Sequence, residues 1–142
     1  MKTFTLDEAN ALLPVLESLL RAAIASKQEL EQFQLERQQL AHRVFLSGGS
    51  LLKISDEIAR KAGQERAAQR LRDTLAEIDS IGVQVKDLDV GLLDFPFLME
   101  GEIILLCWKL GEPSIAYWHT LDAGFAGRKP IDDRIAKAKK PN

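Results

Sequence analysis

The chain has 142 residues, 46% hydrophobic and 28% charged, with a formal net charge of −2. That balance is too apolar for a disordered chain, and the length suffices to bury a core as one domain without disulfide or metal staples. A single cysteine, Cys107, excludes an intramolecular disulfide and fits a reducing compartment.

Asp7 and Glu8 precede any apolar run, so the N-terminus does not read as a signal peptide. Thr5-Leu6-Asp7-Glu8 forms a capping box, with Phe4 at the staple position before it, and predicts a helix from about Leu6. Pro14 falls inside the helical pattern and is expected to kink the helix or split off a short first one, with Asn10 available to cap the restart. Beyond it Leu12, Leu16, Leu19, Ala23, Ser26, Leu30, Phe33, Arg37, Leu40 and Val44 alternate spacings of four and three. That is an imperfect coiled-coil seam. Ser47-Gly48-Gly49-Ser50 reads as the turn. A second helix is predicted from Leu51 to Ser80, with Ile54, Ile58, Ala62, Ala68, Leu71, Leu75 and Ile78 as its stripe and Gly63 as a soft spot.

After Gly82 the period changes to that of strands. Val83 to Val85, Val90 to Phe95, Ile103 to Trp108 and Ser114 to Trp118 are short runs rich in strand formers. Met99-Glu100-Gly101-Glu102 and Leu110-Gly111-Glu112-Pro113 read as turns, and Asp122 to Pro130 as loop. The Ile103–Trp108 run is apolar at every position, which predicts a strand covered on both faces. It is also the longest unbroken apolar run and falls far short of the roughly 20 residues of a membrane helix, so a cytoplasmic protein with no membrane segment is expected. The predicted fold is α+β, a long antiparallel helical hairpin over about 5–81 followed over 82–131 by a mostly antiparallel meander of three or four strands. A basic tail, 132–142, closes it.

Charge is unevenly placed. Asp87 to Asp122 holds seven acids against one base, and Arg128 onward holds six bases against two acids. The tail lacks aromatics for stacking on bases, so it reads as a solvated end rather than a nucleic-acid contact.

Several segments together resemble the bacterial family catalogued as domain of unknown function 2203. They are Phe4 to Asn10 with Leu12-Leu13-Pro14, Val85-Lys86-Asp87, Gly91 to Pro96, Cys107-Trp108, Gly111-Glu112-Pro113, Trp118-His119 and Gly124 to Arg128. The resemblance implies a small bacterial cytoplasmic protein. It carries no activity, cofactor or catalytic residue with it.

No phosphate loop, Cys-x-x-Cys, zinc-protease motif or nucleophile elbow occurs. The polar constellation is Asp87, Asp94, Glu112, His119, Asp122 and Arg128, with Cys107 nearby. Carboxylates and a histidine can hold a divalent metal, and an arginine can hold an anion. The competing reading pairs Arg128 with Asp94 or Glu112 to close the fold, lets His119 bond a backbone carbonyl at a strand end, and makes Glu112 a turn residue and Cys107 a small core residue. Four-residue loops at 99–102 and 110–113 would pair Asp94 with Cys107, Cys107 with Ala116 and Ile104 with His119. His119 and Asp94 then fall on opposite faces, and only a bulge or one-residue slip would reunite them. Trp108, Tyr117, Trp118 and Phe125 are core aromatics or the walls of a small-molecule pocket.

Two functions follow as expectations. The first is a non-enzymatic interaction module, homo-oligomeric through the helical hairpin, whose stripe is longer than its partner helix can cover. The second is a small metal- or anion-dependent enzyme or ligand-binding protein. Its candidate site is Glu112, His119 and Arg128, with Asp87 or Asp122.

Overall fold

The computed structural model describes residues 1–48 and 53–139. Helix α1 (Leu6–Leu46) starts where the capping box predicts. Glu8 N donates to Thr5 Oγ1 at 3.1 Å, and Thr5 N donates to Glu8 Oε1 at 2.9 Å. Phe4 is buried and meets Phe95 edge-on, with ring centroids 5.8 Å apart. Of the kink or split expected at Pro14, the split does not occur: α1 is continuous through it. Proline there deprives only the Asn10 carbonyl of its partner, and both residues line an open groove that water can reach. Asn10 caps no restart. Its Oδ1 accepts from Ile115 N at 2.9 Å, tethering α1 to the sheet region.

The buried residues of α1 are Ala9, Leu13, Leu16, Leu20, Ala23 and Ser26. Leu16, Ala23 and Ser26 belong to the predicted seam, whereas Leu12 and Leu19 flank it, half-buried, with Leu13 and Leu20 turned inward. The stripe is rotated because the first half of α1 packs on a sheet as well as a helix. That half is apolar enough, by length and composition alone, to cross a membrane. Its inward side is instead the core of this fold, with Leu13, Leu16 and Leu20 among the sheet's apolar side chains.

Helix α2 (Ile54–Ile81) returns along α1. Its predicted start at Leu51 and the last part of the predicted turn lie outside the described residues. Of its predicted stripe, Ile78 is buried and Ala62, Ala68, Leu71 and Leu75 are half-buried, but Ile54 and Ile58 are exposed. Gly63 is more than a soft spot. A Cβ there would lie 2.7 Å from Phe33 Cζ, so the glycine admits that ring between the helices.

Five strands follow: β1 (Gln84–Asp87), β2 (Leu92–Met99), β3 (Glu102–Lys109), β4 (Tyr117–His119) and β5 (Lys129–Pro130). They form one antiparallel meander in chain order. The fifth strand lies in the segment expected to be loop, where an edge position tolerates Pro130. Between β2 and β3 the pairing Asp94 with Cys107 is as predicted, and the turn tightens to Glu100-Gly101. Between β3 and β4 the register is one residue away from the predicted one: Cys107 faces Tyr117 rather than Ala116, and Leu105 rather than Ile104 faces His119. The backbone beyond Cys107 has other partners. Lys109 N donates to Glu112 Oε1 at 2.7 Å, and Ile115 N is taken by Asn10. The ladder therefore stops early and the connection takes up one more residue.

Leu93, Phe95, Phe97, Ile104, Leu106, Trp108 and Trp118 join Leu13, Leu16, Leu20 and Ile78 in the core. Ile135, in the one-turn helix α3 (Asp133–Ala136), is fully buried in the same cluster. The basic tail is thus anchored at that residue rather than solvated from its start.

Gly91 is where β2 passes closest to the β3 end. Its φ is +73°, a Cβ on it would lie 2.6 Å from Leu110 Cβ, and its carbonyl accepts from Leu110 N at 2.8 Å. Gly91→Ala should cost about 2–5 kcal/mol, combining left-handed strain of ~1–2 with overpacking of ~1–3. Urea unfolding checks this, and a variant as stable as the parent would contradict so close an approach.

Candidate functional site

The sheet's outer face, opposite the helices, takes every second residue: Asp94 and Pro96 from β2, Leu105 and Cys107 from β3, Tyr117 and His119 from β4. The one-residue slip therefore puts Asp94 and His119 on the same face, contrary to the predicted parity. His119 Nε2 lies 3.0 Å from Asp94 Oδ1, and its Nδ1 lies 2.7 Å from the Thr120 carbonyl oxygen. One ligating atom each from Asp94, Cys107 and His119 fall within 4.8 Å of one another. The three residues are at most 2% exposed. Asp94 Oδ2 is buried with no hydrogen-bond partner among the described residues.

Hydrogen-bond chemistry fixes where protons sit. A carbonyl only accepts, so His119 Nδ1 carries the hydrogen it donates to Thr120. Nε2 then faces a carboxylate oxygen, and two lone pairs at 3.0 Å would repel, so one proton lies between them. The three side chains can also supply the imidazole, thiolate and carboxylate ligands of a divalent transition metal.

Arg128 reaches this face from the segment after β4. Its guanidinium meets the Glu112 carboxylate two-pronged, Nη1 to Oε1 at 3.2 Å and Nη2 to Oε2 at 3.1 Å. The Tyr117 and Phe125 rings flank it, with centroids 4.0 and 4.3 Å away. Glu112 is itself held in the β3–β4 turn, taking Lys109 N on its carboxylate and Trp108 Nε1 on its carbonyl. The Arg128 charge acts on the Cys107 thiol in the direction of the thiolate. Burial and the charge of Asp94 nevertheless push the Cys107 thiol up to about 11, so it is protonated at neutral pH and is no activated nucleophile.

Of the predicted site residues, Glu112 and Arg128 form a pair and His119 lies on the face they flank. Asp87 and Asp122 do not join them. Asp87 Oδ1 accepts from Asp89 N and Val90 N at 2.9 and 3.3 Å, and exposed Asp122 accepts from Thr120 Oγ1 at 2.9 Å. The predicted Asp94–Arg128 ion pair is not formed: Asp94 takes His119, and Arg128 takes Glu112. Asp94 and Cys107 belong to the cluster although the sequence reading favoured structural roles for both. The signal for Asp94 was a lone carboxylate in the apolar run Leu92 to Leu98. Trp108 and Trp118 are core, and Tyr117 and Phe125 hold a guanidinium rather than wall a pocket.

The fold and site together define an α+β protein in which a two-helix arm stands on a five-stranded antiparallel meander, with an Asp–His–Cys cluster buried on the meander's far face. The chain belongs to a family of uncharacterized conserved proteins, domain of unknown function 2203 (DUF2203), whose model matches residues 2–131. That span covers both long helices and all five strands. Comparison with curated proteins and with solved structures finds no match.

The two polar pairs differ in burial, and their loss should differ accordingly. His119→Ala, in chelator-treated protein, leaves the Asp94 carboxylate buried without its partner and should cost about 3–5 kcal/mol. Arg128 and Glu112 side chains are 19% and 21% exposed, and Glu112 keeps Lys109 N. Arg128→Ala should therefore cost only about 1–2 kcal/mol. Denaturant unfolding of both variants measures the gap, and equal losses would show that burial does not rank these pairs.

Proposed function

We propose that the protein is a non-enzymatic, cytoplasmic interaction module that self-associates through the outer half of its helical hairpin. The observation that carries this reading is the distribution of burial along the arm. Every buried residue of α1 lies between Ala9 and Ser26, and every buried residue of α2 between Gly63 and Ile78. Past them, Phe45, Leu46, Ile54 and Ile58 are 81%, 69%, 75% and 65% exposed. Fully burying a side chain of this kind is worth about 1.5–3 kcal/mol, so four at one end of a hairpin form a substantial unused surface.

A second copy of the chain is the partner that fits. Both helices contribute exposed apolar residues at the same end, so a two-fold axis there would bring one tip against another. The adjoining groove is lined by Leu40, Ala41 and Val44 and edged by Arg37 and by Arg60, which is paired with Glu57 at 3.0 Å within α2. The sheet's titratable groups favour this reading over catalysis, because Asp94 and His119 are buried and Cys107 is held as a thiol. A buried free cysteine also fits the reducing cytoplasm.

Sedimentation velocity at micromolar concentration should give a dimer or larger assembly. Phe45→Ser combined with Ile58→Ser should shift it to monomer with the unfolding midpoint little changed, since both side chains are exposed. A parent that stays monomeric, or a double variant of unchanged mass, would rule the reading out.

A further inference from the structure

We infer that Asp94, Cys107 and His119 form a buried binding site for one divalent transition-metal ion of the zinc class. Three neighbouring strands bring an oxygen, a sulfur and a nitrogen ligand to within 4.8 Å of one another. Cysteine, histidine and aspartate are the side chains that bind zinc, and a soft thiolate with an imidazole disfavours the all-oxygen preference of magnesium and calcium.

The second observation is independent of that spacing. Asp94 is 1% exposed, and its Oδ2 has no partner among the described residues. A buried carboxylate oxygen without a donor carries the full cost of its lost hydration, and a cation is the ligand that offsets this for an acceptor-only atom. The ring orientation points the same way. The Nδ1–H of His119 is fixed on the Thr120 carbonyl at 2.7 Å. This is the backbone hydrogen bond that leaves Nε2 as the ligating nitrogen in metal-bound histidines.

Charge balances across the exchange. Before the ion enters, one proton lies between His119 Nε2 and Asp94, and Cys107 is a thiol. The ion replaces both protons, which leave to solvent. A doubly charged cation then faces one carboxylate, one thiolate and a neutral imidazole, so the buried site is neutral in either state. The ring and carboxylate, 3.0 Å apart, need to separate by only a few tenths of an ångström. Bonds of ~2.0–2.1 Å at a tetrahedral angle set an edge of about 3.3 Å.

The test uses the full chain purified without an affinity tag, stripped by chelator and titrated with Zn(II) and, separately, Co(II). One equivalent should bind, raise the unfolding midpoint, and with Co(II) produce a thiolate-to-metal charge-transfer band. Cys107 is the sole cysteine, so that band can come from nowhere else. Cys107→Ser should abolish the band, Asp94→Asn should weaken Zn(II) by at least about tenfold, and His42→Ala should change neither. If Cys107→Ser fails to fold, the parent spectrum still decides. A folded parent that shows no band with Co(II) in excess overturns the inference, whether it binds no ion or binds one at the surface.

Discussion

One rung of the sheet, Leu105 opposite His119, determines what the outer face can be. A strand slipped by one residue turns every side chain over. With His119 opposite Ile104 it would point into the helix-facing core, and Tyr117 would join it. With His119 opposite Leu105, Trp118 takes the core side instead and the imidazole meets Asp94. Two side chains outside the rung enforce this choice. Glu112 takes the N–H of Lys109, and Asn10, on a different element, takes the N–H of Ile115. Each satisfies a backbone donor that the next rung of the ladder would otherwise claim.

The two faces of β3 are consequently closed by different physics. Ile104, Leu106 and Trp108 are covered by α1 through apolar burial, which is non-directional and tolerates repacking. Leu105 and Cys107 are on the other face, and what holds the segment after β4 there is directional: a two-pronged Arg128–Glu112 pair and two aromatic faces around the guanidinium. Lysine could not reproduce this, because a compact ammonium lacks both the fork and the stacking plane. A polar clamp over a polar cluster makes the outer face sensitive to ionisation and ions, whereas the core face answers chiefly to side-chain volume.

Much of the fold was legible because it depends on local chemistry. The Thr5–Glu8 capping box, the Gly101 turn and the Asp94–Cys107 register follow from short-range rules, and the structure has all three. The errors share one cause, which is a partner distant in sequence. Asn10 looked like a cap because nothing nearby revealed that Ile115, 105 residues later, needed an acceptor. Gly63 looked like a weakness because Phe33 lies on the other helix. Leu12 and Leu19 looked like a seam because the sheet, which rotates the buried stripe, is not encoded in the helix itself. The site was half legible for the same reason. Glu112, His119 and Arg128 stood out as polar residues in turns and at a strand end, while Asp94 and Cys107 sat in strands whose facing parity hung on one turn.

The placement of arm and cluster has a mechanical consequence. At 1.5 Å per residue α1 is roughly 60 Å long, and the stretch from Ala9 to Ser26 accounts for about 26 Å of it. The inner part is tied to the head by the core, by Asn10 and by a Lys27–Asp89 ion pair, so the outer part is a lever fixed at one end. The cluster lies on the opposite side of the sheet from that lever, with the packed core layer between them. Perturbations at sites so separated, with no shared partner, add rather than couple. Whatever binds at Asp94, Cys107 and His119 therefore acts on the stability of the head, and whatever the hairpin tip contacts acts through the arm. Binding at one of these two places would therefore not require the other to be occupied.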